Sequence, residues 1–239
     1  MEIYTFGDRN KEKILLIHPM FTSANFFKSF VEKLKDDYFF IIPTLSGHAE
    51  NSTYVSTEQE ENALNEFFTN NQIDRLKLVV GFSLGGNIAF NYFCKNTEKI
   101  DKVVVDSAPL FCFPKLVKRH FYKKYKNCLA KVRENADKAE YELNKCFHGM
   151  GESQKAVAPL VSNDSLNGLI ESCYNNKLPT LFEATQRKIV FVYGTKDIAR
   201  LCLSRIRKYK HSKFLILRGY NHCEFFMTKQ DEYINQLVK

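Results

Sequence analysis

The stretch "VVGFSLGGNIAF", residues 79–90, surrounds one serine, Ser83, with three of the chain's ten glycines. A branched apolar run ends at Gly81 and a new apolar stretch opens after Gly86. A serine on a tight strand-to-helix turn takes strained backbone angles and presents its hydroxyl above the sheet. Residues two before and two after such a serine nearly touch, so Gly81 and Gly85 supply clearance, and Gly86 lets the following helix approach the sheet. With this composition, chance yields on the order of 0.02 G-x-S-x-G matches in the chain, so the motif is a strong signal.

A serine hydroxyl is a weak nucleophile at neutral pH; a base must take its proton and a third group must orient that base. "FVYGTKD" places Asp197 just beyond one apolar run, and "LILRGYNHCEFF" places His222 just beyond the last. The order Ser83, Asp197, His222 fits a triad assembled from neighbouring strand ends. Asp106, at the end of an earlier run, is the alternative acid. His120, His148 and His211 fall in polar or inserted segments. Cys223 reads as a buried small hydrophobe rather than a reactive thiol. The sequence has no C-x-x-C pair and no metal-ligand spacing, so neither a metal nor a cofactor is expected.

Those three residues need elements to hold them. Six short runs, residues 13–19, 38–45, 75–83, 102–109, 188–195 and 213–220, are rich in Val, Ile, Leu and Phe and mostly do not alternate, as strands buried on both faces require. Residues 25–37 and 56–71 read as helices, the second with Ser56 or Thr57 as its cap. Strand alternating with helix predicts an α/β fold with a mostly parallel central sheet flanked by helices. The alternation stops between Phe111 and about Arg187, a span too long for a loop. There Val117, Phe121, Tyr125, Leu129, Val132, Ala136, Ala139, Leu143 and Phe147 step by three or four, marking one apolar helical face. Residues 111–187 are therefore expected to form a helical lid over the carboxyl ends of the strands, where such sheets bind ligands. The whole chain, 1–239, is expected to be one domain.

The chain carries a net charge of +8, and residues 111–150 hold ten Lys/Arg against four Asp/Glu. A solvated lysine-rich surface is the plain reading, and attraction of acidic substrates or of a membrane surface is the other. No nucleic-acid-binding module accompanies the charge. The amino-terminal segment lacks the build of a secretory signal, and no apolar run is long enough to span a bilayer. Seven scattered cysteines suit reduced thiols, so a cytoplasmic protein without stable membrane insertion is expected. Nothing in the pattern specifies an oligomeric state.

Taken together, "IHPMF", "LSGHAENS", "GFSLGG", "YGTKD" and "GYNH" resemble the α/β-hydrolase fold family over nearly the whole chain apart from the inserted segment. The resemblance implies a small lid-bearing esterase or thioesterase with Ser83, Asp197 and His222 as its catalytic triad. It further implies that the Met20 and Leu84 backbone N–H groups form the oxyanion hole and that His18 and His48 fix loop shape. The family usually has His-Gly in the first loop, where this chain has His18-Pro19; proline offers no N–H, but the donor is the next residue, Met20. Ala49 stands where a second glycine is common. The implied activity is a carboxylesterase: hydrolysis of a small-molecule ester or thioester through an acyl-enzyme, without a cofactor, losing activity below a histidine pKa of about 6 to 7. Two alternatives keep the same residues: lyase or carbon–carbon hydrolase chemistry on an anionic substrate, and a ligand-binding protein with vestigial turnover.

Overall fold

A computed structural model describes residues 1–147 and 149–238. Seven strands form one sheet in the order β1-β3-β2-β4-β5-β6-β7. They are β1 (Glu2–Phe6), β2 (Lys13–Ile17), β3 (Phe39–Thr44), β4 (Leu78–Phe82), β5 (Val103–Asp106), β6 (Ile189–Gly194) and β7 (Lys213–Leu217). The last six are mutually parallel and correspond to the six runs read from the sequence.

The central strands are covered on both sides. Ile14, Leu16, Phe40, Val80, Phe82 and Val104 face one apolar cluster, shared with the carboxyl-terminal Phe225, Phe226 and Tyr233. Their neighbours in sequence, Leu15, Ile17, Ile41, Val79, Val103 and Val105, face the other. Successive side chains point to opposite faces of a strand, so burial on both faces requires the unbroken apolar runs observed.

Two local departures from the sequence reading have simple causes. The strand β1 pairs antiparallel with β3 at the sheet's edge and is mostly exposed, so "EIYTF" carries no core signal. The helix expected over 25–37 is reduced to a 3-10 turn followed by α1 (Lys28–Glu32). Asp36 and Asp37 would lie at the negative end of a longer helix, where carboxylates are unfavourable. By contrast α2 (Thr57–Asn70) has the expected start, with Ser56 Oγ accepting the Gln59 N–H at 3.2 Å. Next, α3 (Leu84–Lys95) begins at Ser83.

Between β5 and β6 lie α4 (Lys115–Glu134), α5 (Ala139–Phe147), α6 (Gly151–Gln154), α7 (Asn163–Tyr174) and a final short turn of helix at Glu183–Gln186. The apolar face is narrower than the spacing implied: Tyr125, Leu129, Val132, Ala139 and Leu143 are buried, while Val117 and Ala136 are exposed. The segment is tied at its base, where Asn176 N–H donates to Phe111 O at 2.8 Å and Phe113 N–H to Tyr174 O at 2.9 Å. It is also docked on α3, since Asn87 Nδ2 donates to the carbonyls of Ser172 and Cys173 at 3.1 Å each. Among the described residues no helix is long and apolar enough to cross a membrane, and all seven cysteines are unpaired.

Candidate active site

Ser83 follows the last residue of β4 and has φ 52° and ψ −114°, a conformation that side-chain-bearing residues rarely adopt. Its neighbours make the turn possible. A Cβ on Gly81 would lie 2.2 Å from Gly85 O, and one on Gly85 would lie 2.2 Å from Ile17 O. These are backbone collisions that no rotamer relieves, so both positions demand glycine. Because α3 starts at once, its unpaired first N–H groups and the positive end of its dipole lie beside the serine.

Asp197 and His222 come from the loops after β6 and β7. The Asp197 Oδ1 atom accepts the Ala199 N–H at 2.8 Å and the imidazole Nδ1–H of His222 at 3.0 Å. Asp197 is buried, whereas the His222 side chain is 20% exposed. With Nδ1 donating to the carboxylate, Nε2 is the nitrogen left to take a proton. Burial works against a charged imidazole here. The neighbouring Cys223 and the Asp197 carboxylate outweigh it and raise the pKa of His222 well above its ordinary value. The Cys223 thiol is itself pushed up by burial and stays neutral, so Asp197 is the partner that holds the proton. The loop is held from β5 as well: Ser107 Oγ donates to Asp106 Oδ1 at 2.8 Å and accepts the Cys223 N–H at 3.0 Å.

Ser83, Asp197 and His222 line one cavity of about 290 Å³. Among the described residues the Ser83 hydroxyl makes no hydrogen bond, to His222 or to any other group. Bonds of this kind are often long until substrate is bound. Asp106, the alternative acid, faces Ser107 instead and does not line the cavity. Burial, opposed by the Ser107 hydrogen bond, pushes its carboxyl up to about 7.

Met20 borders the cavity; Leu84 does not, its side chain being fully buried and only its N–H lying at the start of α3. Among the described residues neither N–H donates a hydrogen bond. His18 braces the first loop. It donates from Nδ1 to Pro19 O at 2.8 Å and accepts the Leu45 N–H on Nε2 at 3.0 Å, joining the ends of β2 and β3. Burial, with His48 adding to it, lowers the pKa of His18 well below its ordinary value, as suits a neutral ring used in this way. His48 donates from Nδ1 to Ser46 O at 3.0 Å, and burial lowers its pKa to about 4. His120 and His211 are exposed, and His148 lies outside the described residues.

The opposite wall comes from the inserted helices. Phe113, Phe121 and Tyr174 stack near-parallel beside Phe111, while Tyr125 and Phe147 meet at 4.9 Å between centroids. Gln154, on α6, reaches from this wall to the first loop and donates Nε2–H to Met20 O at 3.0 Å. It is 1% exposed, and its Oε1 has no partner among the described residues. The sequence reading passed over Gln154, Ser107, Lys124 and Lys196. Ser107 and Gln154 act across more than a hundred residues of chain, and neither sits in a motif.

Set beside known proteins, the chain gives a consistent answer. A profile of the alpha/beta hydrolase fold matches residues 13–134. No curated protein matches in sequence. An alpha/beta hydrolase family protein from Desulfitobacterium hafniense is similar in structure with a TM-score of 0.77 at 17% identity, over 99% of this chain and 98% of that one. An esterase from a marine microorganism has a TM-score of 0.76 at 16% identity, covering 99% and 97%. For an esterase from Exiguobacterium antarcticum the TM-score is 0.74 at 14% identity, covering 99% and 93%. The chain belongs to the alpha/beta-hydrolase fold family. The class of enzyme this membership assigns is a hydrolase.

Proposed function

We propose that the protein is a serine esterase that cleaves a carboxylic ester or thioester through an acyl-enzyme on Ser83. The observation that carries this reading is the joint lining of one cavity by a strained, hydrogen-bond-free Ser83 and a hydrogen-bonded Asp197–His222 pair. The similarity to two proteins described as esterases supports it. In the first step Ser83 Oγ attacks the carbonyl carbon while its proton passes to His222 Nε2. Asp197 holds the ring and stabilises its charged form. The Met20 and Leu84 N–H groups receive the oxyanion, each contributing on the order of 3 kcal/mol. Collapse expels the alcohol or thiol, protonated by His222. Water then attacks the acyl carbon, gives its proton to His222 and releases the acid, restoring Ser83.

In this reading residues 111–187 act as the lid, and 1–239 is one domain. The substrate is a small molecule, and reduced thiols suit a cytoplasmic location. A chain-length series of 4-nitrophenyl esters run beside thioesters, with and without Ser83→Ala, tests the proposal. Turnover and phosphonate labelling that both vanish in the variant are expected. Undiminished labelling in the variant overturns the role of Ser83. A reactive serine with no ester turnover points to lyase or carbon–carbon chemistry, and an inert serine to a binding protein.

A further inference from the structure

The charge of the cavity is lopsided. Among the described residues that line it, the one carboxylate is Asp197, already bonded to His222. Two lysines line it as well, Lys124 from α4 and Lys196 from the loop after β6. Both are exposed, so they stand at its mouth rather than its floor. On α4, Lys118 and Lys131 are paired with Glu171 and Glu142, and Arg133 is bonded to Pro159 O. Lys124 and Lys196 have no carboxylate within ion-pair distance among the described residues.

Their placement differs in a useful way. The Lys124 Nζ lies 5.9 Å from the centroid of the Tyr125 ring, against the aromatic wall. Lys196 adjoins Asp197 on the opposite side. Lys124 also bears on the Cys146 thiol of the aromatic wall, as a minor influence. The thiol's pKa is lowered chiefly by a hydrogen bond with Cys128, against the effect of burial, and further by Lys124. Two ammonium groups without a carboxylate partner among the described residues, one from each wall of a largely aromatic cavity, give it a mouth that favours negative charge and a floor that does not.

Resting on the esterase reading, we propose that the substrate is an anionic ester or thioester. Its apolar part enters among Phe113, Phe121 and Tyr174, and a carboxylate or phosphate on its protruding end is held by Lys124 and Lys196. The charge can belong to the acyl group or to the leaving group, and matched esters separate the two. Mono-4-nitrophenyl adipate is compared with 4-nitrophenyl hexanoate for the acyl side, and 4-(butanoyloxy)benzoate with its methyl ester for the leaving-group side.

The expected result is a kcat/KM that favours the anionic member of one pair by about fivefold or more. That preference falls by about threefold in Lys124→Ala or Lys196→Ala, is retained in the arginine variants, and shrinks as NaCl rises from 50 to roughly 500 mM. Because each readout is a ratio within one protein, partial misfolding of a variant does not imitate it. Equal or better turnover of both neutral esters overturns the proposal while leaving the esterase reading intact. So does an anionic preference untouched by salt and by both alanine variants. No turnover of any of the four esters, with wild type and Ser83→Ala alike, sinks the esterase reading itself.

Discussion

Across the cavity, the wall made by strand ends and the wall made by inserted helices follow different rules. The first holds Ser83, Asp197 and His222 on loops whose backbone is forced. Phe21, Ser83, Ser107 and Cys223 all have positive φ there, at 66°, 52°, 53° and 57°. The second, residues 111–187, has among its described residues only Gly149 in that region. Conformations of this kind cost on the order of 1–3 kcal/mol each and persist only where surrounding packing overrides them. The buried sheet supplies that packing. The helical wall contributes stacked rings and Lys124 on unstrained backbone. On the proposed reading the first wall makes and breaks bonds, and the second, joined by Lys196 from the first, chooses the substrate.

The largest expected effect that sharpens the contrast is Ser83→Ala, with kcat for a nitrophenyl ester falling by about 10⁵-fold. Asp197→Asn should follow at about 10³- to 10⁴-fold, measured in the same assay. It also has a pH signature. The carboxylate stabilises the imidazolium, so wild-type activity should rise with pH through a midpoint raised above that of an ordinary histidine. Removing the carboxylate lowers the histidine's pKa, so that midpoint should move down in the variant.

Gln154→Leu tests a bond that joins the inserted helices to the first loop beside Ser83. Loss of its donor to Met20 O should lower kcat about tenfold and leave KM within about twofold, because the loop proposed to carry an oxyanion donor is loosened without emptying the pocket. Phe121→Ala should do least to the chemistry. It should reduce kcat/KM for long acyl chains by about three- to tenfold relative to short ones, read from the ester series. If Phe121→Ala removed activity as thoroughly as Asp197→Asn, the division between the walls would fail.

How much of this was legible in the sequence follows the same division. Gly81 and Gly85 announce the elbow around Ser83 because backbone sterics leave no other residue type usable at those two positions. Five of the six parallel strands are visible because burial on both faces requires unbroken apolar runs; the half-exposed edge strand β7 is visible through its apolar composition alone. The edge strand β1 is not, since an exposed antiparallel edge can take almost any sequence. On the inserted wall, spacing located α4 and α5 but overestimated their buried face, which depends on what they pack against. Gln154 was invisible because its partner lies 134 residues away.

One consequence of the elbow reaches beyond nucleophile exposure. Gly85, one residue after Leu84, sits against the carbonyls of Ile17 and His18, and His18 is two residues before Met20. In the proposed mechanism, the separation between the Met20 and Leu84 N–H groups is therefore gauged by a missing side chain, main chain resting directly on main chain. A spacer of zero length cannot be retuned by gradual substitution, so this dimension is common to every substrate that the pocket admits.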